Sequence, residues 1–418
     1  MKWNFLSSIS IGLALFTSAC SNSSKPEVPA KSALKEGMWR MEMTLVENKV
    51  LPFEFELIEN NGALSMIIFN ASEDIKVDEI EQRNDSLFIQ LPIFESVFDL
   101  KIKSDSILSG EWVNYYQNSD YKIPVIASYG SESRFFPLTV DSYKNFEGKY
   151  EVAFSPNTDE QSKAIGLFEQ DGNDVTGTFA TETGDYRHLA GNASGNKMML
   201  STFDGSHAFL FEAEQTDSGL VGVFYSGTHW EESWVARKND SVKLRNPNEL
   251  TFLKEGYKGL EFLFPNANGD SISLNDKKFE NKAVIVQIMG SWCPNCLDET
   301  RYLSTLYDKY NSQGLEVIAL AFERTKTEEK AFENLSKLKH KTGAKYTFLL
   351  GGATRADKAA EKLPMLNHIM SYPTAIFIDK NKKVRRIHTG FYGPSTGDFY
   401  NDFVKETETL VQELLSEI

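Results

Sequence analysis

The sequence predicts a multidomain protein, with an N-terminal antiparallel all-β region followed by a C-terminal α/β domain. Three observations lead there. Residues 37–238 read as short alternating strands between turn signals, with no long helical period. Beyond residue 257 apolar strand runs alternate with helical stretches, the pattern of a βαβ fold. At 418 residues and 41% hydrophobic content, the chain exceeds what one hydrophobic core organises.

Residues 1–19 read as an export signal: Lys2, an apolar stretch over residues 5–16, then Thr17-Ser18-Ala19 before Cys20. The stretch is too short for an ordinary membrane span, and no later segment reaches the roughly 20 apolar residues a spanning helix needs. A cysteine directly after the cleavage point resembles a bacterial lipoprotein signal, in which that residue becomes the acylated N-terminus. Thr17 departs from the leucine usual at its place, and the alternative is an ordinary secretory cleavage. Residues 20–36, with Ser, Asn, Lys and two Pro, then form a lipid-anchored tether.

Two β modules are expected, over 37–140 and 141–238. Landmarks recur about 110 residues apart: Gly37-Met38-Trp39 with Gly148-Lys149-Tyr150, Asn60-Asn61-Gly62 with Gln170-Asp171-Gly172, and Phe69 with Phe179. Residues 239–256, carrying Asn, Asp, Pro and Gly, suit a linker. The α/β domain follows over 257–418. Apolar runs at 283–289, 315–322, 346–350 and 374–378 suit buried strands of a mainly parallel sheet, with helices expected near 296–311, 327–341, 355–363 and 399–415.

The chain has only three cysteines: Cys20, Cys293 and Cys296. A pair with only two residues between them closes too small a loop to stabilise a fold by much, so its value is chemical. The strand over 283–289 runs through Gly290-Ser291 into Trp292-Cys293-Pro294-Asn295-Cys296 and then a helical pattern, which puts Cys293 at a helix N-terminus. Unpaired N–H groups and the helix dipole favour an anion there, and the thiolate is the attacking species. Pro294 fits the first helical turn. Cys296, one turn deeper, is placed to resolve the mixed disulfide. A lone C-x-x-C is also half of a zinc site, but no second pair exists and the six histidines are scattered, so neither metal nor cofactor is expected.

This arrangement resembles thioredoxin-like proteins, and among them the membrane-tethered, exported TlpA/ResA-type oxidoreductases of bacteria. The resemblance covers about residues 258–418 and leaves the β modules outside. It implies a cis proline facing the cysteines at Ser371-Tyr372-Pro373-Thr374, where the Tyr372 backbone would pair with substrate. It also implies a proton-handling role for Glu299, three residues after Cys296; the alternative is a solvated helix glutamate. Gln287 stands where thioredoxin itself has a buried Asp. Glu323, at the end of the strand over 315–322, is a further active-site neighbour beside Trp292, Pro294 and Asn295. His388 and Tyr392 read as packing or surface residues.

The expected function is thiol–disulfide exchange with protein cysteines in the bacterial envelope, facing the periplasm. The partners would be protein thiols or disulfides, an upstream redox donor or acceptor, and the membrane through a lipid on Cys20. Reduction of apocytochrome c is implied by family analogy alone. Alternatives are a thiol peroxidase, or a ligand-binding envelope lipoprotein whose redox domain is accessory. A net charge of -15 and the lack of a dense Lys/Arg block exclude a nucleic-acid partner.

Overall fold

The computed structural model describes residues 34–117, 121–130, 133–137 and 144–417. The predicted signal peptide, Cys20 and most of the tether lie outside the described residues. The tether's last residues are already folded: Leu34 is buried in the first β core, and the Lys35 carbonyl accepts from the Trp39 indole at 2.9 Å.

The first β region is a nine-stranded antiparallel sheet of β1 Gly37–Thr44, β2 Val50–Asn60, β3 Ala63–Asn70, β4 Glu73–Val77, β5 Glu79–Arg83, β6 Ser86–Gln90, β7 Ser96–Ser104, β8 Ile107–Asn114 and β9 Lys122–Tyr129. It is a meander whose last strand returns to pair with its first, in the order β4-β3-β2-β1-β9-β8-β7-β6-β5. The second region repeats the plan with β10 Gly148–Phe154, β11 Ser162–Asp171, β12 Asp174–Thr181, β13 Gly184–Asp185, β14 Leu189–Ser194, β15 Lys197–Phe203, β16 Ala208–Thr216, β17 Gly219–Ser226 and β18 Trp230–Lys238. Here β18 pairs with β10 and β11 with β12, so the ring closes, and β13 is a two-residue flap on the end of β12. Alternation along each strand sends every second side chain inward. Trp39, Trp112 and Trp234 are buried, each contributing on the order of 1.5–3 kcal/mol, whereas Trp230 is exposed.

The two sheets share packing. Phe203 of β15 enters the core of the first sheet, stacked on Phe53 at 4.9 Å and edge-on to Trp112 at 5.2 Å.

The C-terminal domain opens with a short hairpin, β19 Phe264–Pro265 with β20 Ser271–Ile272, and continues with β21 Ala283–Met289, α1 Pro294–Tyr310, β22 Leu315–Phe322, α2 Glu328–Thr342, β23 Thr347–Gly352, α3 Ala359–Lys362, β24 Thr374–Ile378, β25 Val384–Thr389 and α4 Asp398–Ser416. The sheet order is β23-β22-β21-β24-β25. β21 is buried along its whole length, as a central strand with both faces covered must be. In α4 the buried residues Phe403, Thr407, Val411 and Leu414 recur every three or four positions, the stripe of a helix lying on a core.

Two expectations are corrected. The sheet is mixed rather than mainly parallel, because β24 runs antiparallel to β21 and β25 antiparallel to β24. A parallel return needs a crossover that spans the sheet, and α3 is one turn of four residues, so the chain re-enters at the end it left. The helix expected over 355–363 shrinks to that turn: the Asp357 carboxylate ties up the Ala353 and Thr354 N–H groups, and Pro364 blocks extension. Residues 239–256 are held against the C-terminal domain by hydrogen bonds. The Pro247 carbonyl accepts from Thr389 N at 3.0 Å, and Asn248 Oδ1 lies 2.9 Å from His388 Nδ1.

Candidate active site

β21 leads through Gly290 and Ser291 to Cys293, whose extended backbone (φ -105°, ψ 115°) makes it the N-cap of α1. Its Sγ accepts from Cys296 N at 3.4 Å, and Pro294 occupies the first helical turn, where a missing N–H costs nothing. The Cys293 thiol points to the Tyr372 carbonyl at 3.4 Å, beside the cis Tyr372-Pro373 bond. Both cysteines are free thiols. Cys293 retains 8% exposure and Cys296 none, which separates an accessible sulfur from an enclosed one. Burial, reinforced by the adjacent Cys293 sulfur, pushes the Cys296 thiol well above its ordinary range.

Glu299 is wholly buried on the same face of α1, which excludes the solvated-glutamate alternative. Burial raises its carboxyl to about 8, and the nearby Gln287 amide offsets only part of this. Neither carboxyl oxygen has a well-formed hydrogen bond among the described residues. Gln287 is engaged elsewhere, donating to the Cys296 carbonyl at 3.3 Å and accepting from the Thr300 hydroxyl at 3.2 Å. A buried acid that titrates near 8, one turn from an enclosed thiol, can give a proton to the departing Cys296 thiolate and, once ionised, take one back close to neutral pH.

Glu323 is buried behind the reactive loop. Its two oxygens accept from Ser291 N at 2.8 Å and the Ser291 hydroxyl at 2.6 Å, so it braces the residue two before Cys293. Burial lifts its carboxyl to about 7. The Trp292 indole donates to the Phe322 carbonyl at 2.9 Å, and the Arg324 guanidinium lies 3.2 Å from the centroid of the Trp292 ring. Burial and the neighbouring Arg355 lower the Arg324 guanidinium, a cation that its contact with Trp292 sets beside the cysteine loop and that the sequence reading missed. Its signal was its place two residues past the end of β22. His388 is buried against Phe403, and Tyr392 packs on Phe399, away from the sulfurs.

The sequence reading also missed everything the β regions bring. Ser206 donates to the Trp292 carbonyl at 3.2 Å, Arg187 to the Pro294 carbonyl at 3.1 Å, Asn295 to the Asp185 carbonyl at 3.2 Å, and Ser371 to the Thr183 carbonyl at 2.6 Å. From the first sheet, the Tyr116 hydroxyl lies 3.2 Å from Ser291 Oγ. Contacts between residues more than 75 positions apart leave no local trace in a single sequence.

Residues 254–400 match the Redoxin family. Over 129 residues the chain is 30% identical to the thiol-disulfide oxidoreductase ResA of Bacillus thuringiensis subsp. konkukian, a match covering 31% of this chain and 66% of that protein. Over 157 residues it is 27% identical to ResA of Bacillus subtilis, covering 38% and 79%. The chain thus spans just under two thirds of the length of the first of these relatives. A solved thiol:disulfide interchange protein of the thioredoxin family from Chlorobium tepidum TLS overlaps 39% of this chain and 99% of its own, at 20% identity and a TM-score of 0.29. The β regions lie outside the family match. With a cysteine pair at the head of α1 and a cis proline against it, the C-terminal domain has the layout of a thioredoxin-like protein, matches the Redoxin family over residues 254–400 and is similar in sequence to the thiol-disulfide oxidoreductase ResA.

Proposed function

We propose that the chain exchanges electrons with protein cysteines in the bacterial envelope through the Cys293/Cys296 dithiol–disulfide couple. The observation that carries this is the asymmetry of the pair. Cys293 caps α1 beside the Tyr372 carbonyl and keeps its exposure, while Cys296 is enclosed with its thiol held protonated. Cys293 is the nucleophile, Cys296 resolves the mixed disulfide, and Glu299 takes and returns the proton of the enclosed thiol. Tyr372 and Pro373 face the substrate. The resemblance to TlpA/ResA-type proteins supports a reducing role toward apocytochrome c. The N-terminal signal supports a membrane anchor through a lipid on Cys20, with the reactive centre facing the periplasm and an envelope redox partner recharging it.

The test is a Cys296→Ser variant expressed in a bacterial envelope. Mixed disulfides on Cys293 should accumulate and name the substrates, and Cys293→Ser should abolish them. Insulin reduction by dithiothreitol running equally fast with wild type and Cys293→Ser would defeat the proposal.

A further inference from the structure

The flap β13 lies across the face of the reactive centre. Thr183 and Asp185 give their carbonyls to Ser371 and Asn295, one on each side of Cys293. The Asp185 carboxylate accepts from Gly393 N at 2.6 Å, closing the flap onto a third loop of the C-terminal domain. The fit is close: a Cβ at Gly184 would run into the Asn295 amide, and one at Gly390 would come within 2.8 Å of the Thr183 backbone. Gly184 at φ 145° and Gly390 at φ 80° adopt backbone conformations that L side chains rarely take.

Beside the flap a cleft of about 530 Å³ remains open, and Cys293 lines it. One wall is Pro294, Asn295 and Met370; the other is the flap with Tyr186, Phe209 and Ser162 of the second sheet. Phe209 is held edge-on to Tyr186 at 5.5 Å and stacked on His207 at 4.5 Å, so the apolar side of the cleft is braced. A cleft of this size suits a few side chains or a small ligand. A broad protein surface would meet the flap and the second sheet before it met Cys293 Sγ.

Resting on the oxidoreductase reading above, we propose that the second β sheet forms the outer wall of the substrate cleft. Through it, the enzyme selects a cysteine on an extended polypeptide segment over one on the face of a folded protein. In the oxidising direction, the reverse of the reduction proposed above, a substrate thiolate attacks Cys293 Sγ of the oxidised pair. The substrate–Cys293 bond forms as the Cys293–Cys296 bond breaks, and the electron pair leaves on Cys296, which takes up the proton the substrate thiol released. A second substrate thiolate then attacks the substrate sulfur of the mixed disulfide: the substrate disulfide forms as the substrate–Cys293 bond breaks, and the electron pair leaves on Cys293 Sγ, which takes up the second proton.

The experiment uses the oxidised full chain and three reductants: a twelve-residue peptide with one cysteine, a folded domain with one surface cysteine of similar reactivity, and dithiothreitol. The peptide should form the mixed disulfide about tenfold or more faster than the folded domain. Ser162→Trp, which fills the cleft from an exposed strand position, should cut the ratio of peptide to dithiothreitol rates by about tenfold. Phe209→Ala, which widens it, should raise the folded domain's rate relative to the peptide's. Equal peptide and folded-domain rates in wild type, or a peptide ratio untouched by Ser162→Trp, overturns the cleft. Reaction with dithiothreitol but not with the peptide makes it a small-thiol site and overturns it too. Failure of Cys293 to react with all three defeats the oxidoreductase reading instead.

Discussion

Arg187, on the chain between β13 and β14, donates a hydrogen bond to the carbonyl of Pro294, the residue following the reactive Cys293. Its guanidinium also pairs with Asp298 of α1 and Glu73 of β4, and lies 3.5 Å from Asp204. One buried side chain therefore joins both β sheets to the first turn of the reactive helix. Arg187→Met would leave buried carboxylates unpaired, and a loss of about 3–5 kcal/mol is expected. Arg187→Lys should recover part of that stability, because a point charge cannot reproduce the planar fork. Urea unfolding of the reduced full chain measures both; a wild-type midpoint for Arg187→Met would show that the network carries no weight.

Glu299 should make stability fall as pH rises. Its carboxyl titrates near 8 in the native state against an ordinary value of 4.5, so the unfolded chain releases the proton first. Below about 4.5 both states are protonated, and between there and about 8 each pH unit costs up to about 1.4 kcal/mol for this group. Glu323, raised to about 7, has the same sign. Glu299→Gln should flatten the slope of denaturation midpoint against pH between 5 and 8. An unchanged slope would place Glu299 in contact with water.

The same substitution should slow turnover. An amide cannot relay a proton, and Gln287 offers none either, so exchange through Cys296 should drop by roughly a hundredfold in Glu299→Gln. Stopped-flow rates across pH 6 to 9 should also lose the inflection near 8.

Alkylation should separate the two thiols. Cys293 is accessible, while Cys296 is enclosed and held protonated. Iodoacetamide at pH 7.5 should therefore label Cys293 at least about a hundredfold faster. Mass spectrometry of the reduced protein reads the ratio, and comparable labelling of both would contradict the assigned roles.

Tyr116 tests whether the first sheet supports the reactive loop. Its hydroxyl sits between Ser291 Oγ and Asn334 Nδ2, at 3.2 and 3.5 Å. Tyr116→Phe removes that link and should cost about 1 kcal/mol in urea unfolding. No change would mean that the ring's burial alone matters.

The placement of the cysteine pair at a helix start was legible in the sequence because its determinants are local. A strand, a small-residue turn, a Cys-Pro start and a helical stripe lie within thirty residues, and each acts through hydrogen bonds and side-chain periodicity over one or two turns. The repeated β plan was legible for the same reason, since turn glycines and alternation mark every hairpin. The direction of β24 was not, because it depends on whether the chain between β23 and β24 crosses the sheet. Neither was the ionisation of Glu299, whose position on α1 was plain but whose burial is set by side chains arriving from elsewhere. Least visible was the flap at Thr183–Asp185 over Cys293, together with the Arg187 and Ser206 bonds behind it. Those contacts join residues about 85 to 190 positions apart, so they exist only once separate cores have packed on one another. The cysteine pair is thus written in the local sequence, whereas the surface that can reach it was decided by tertiary packing.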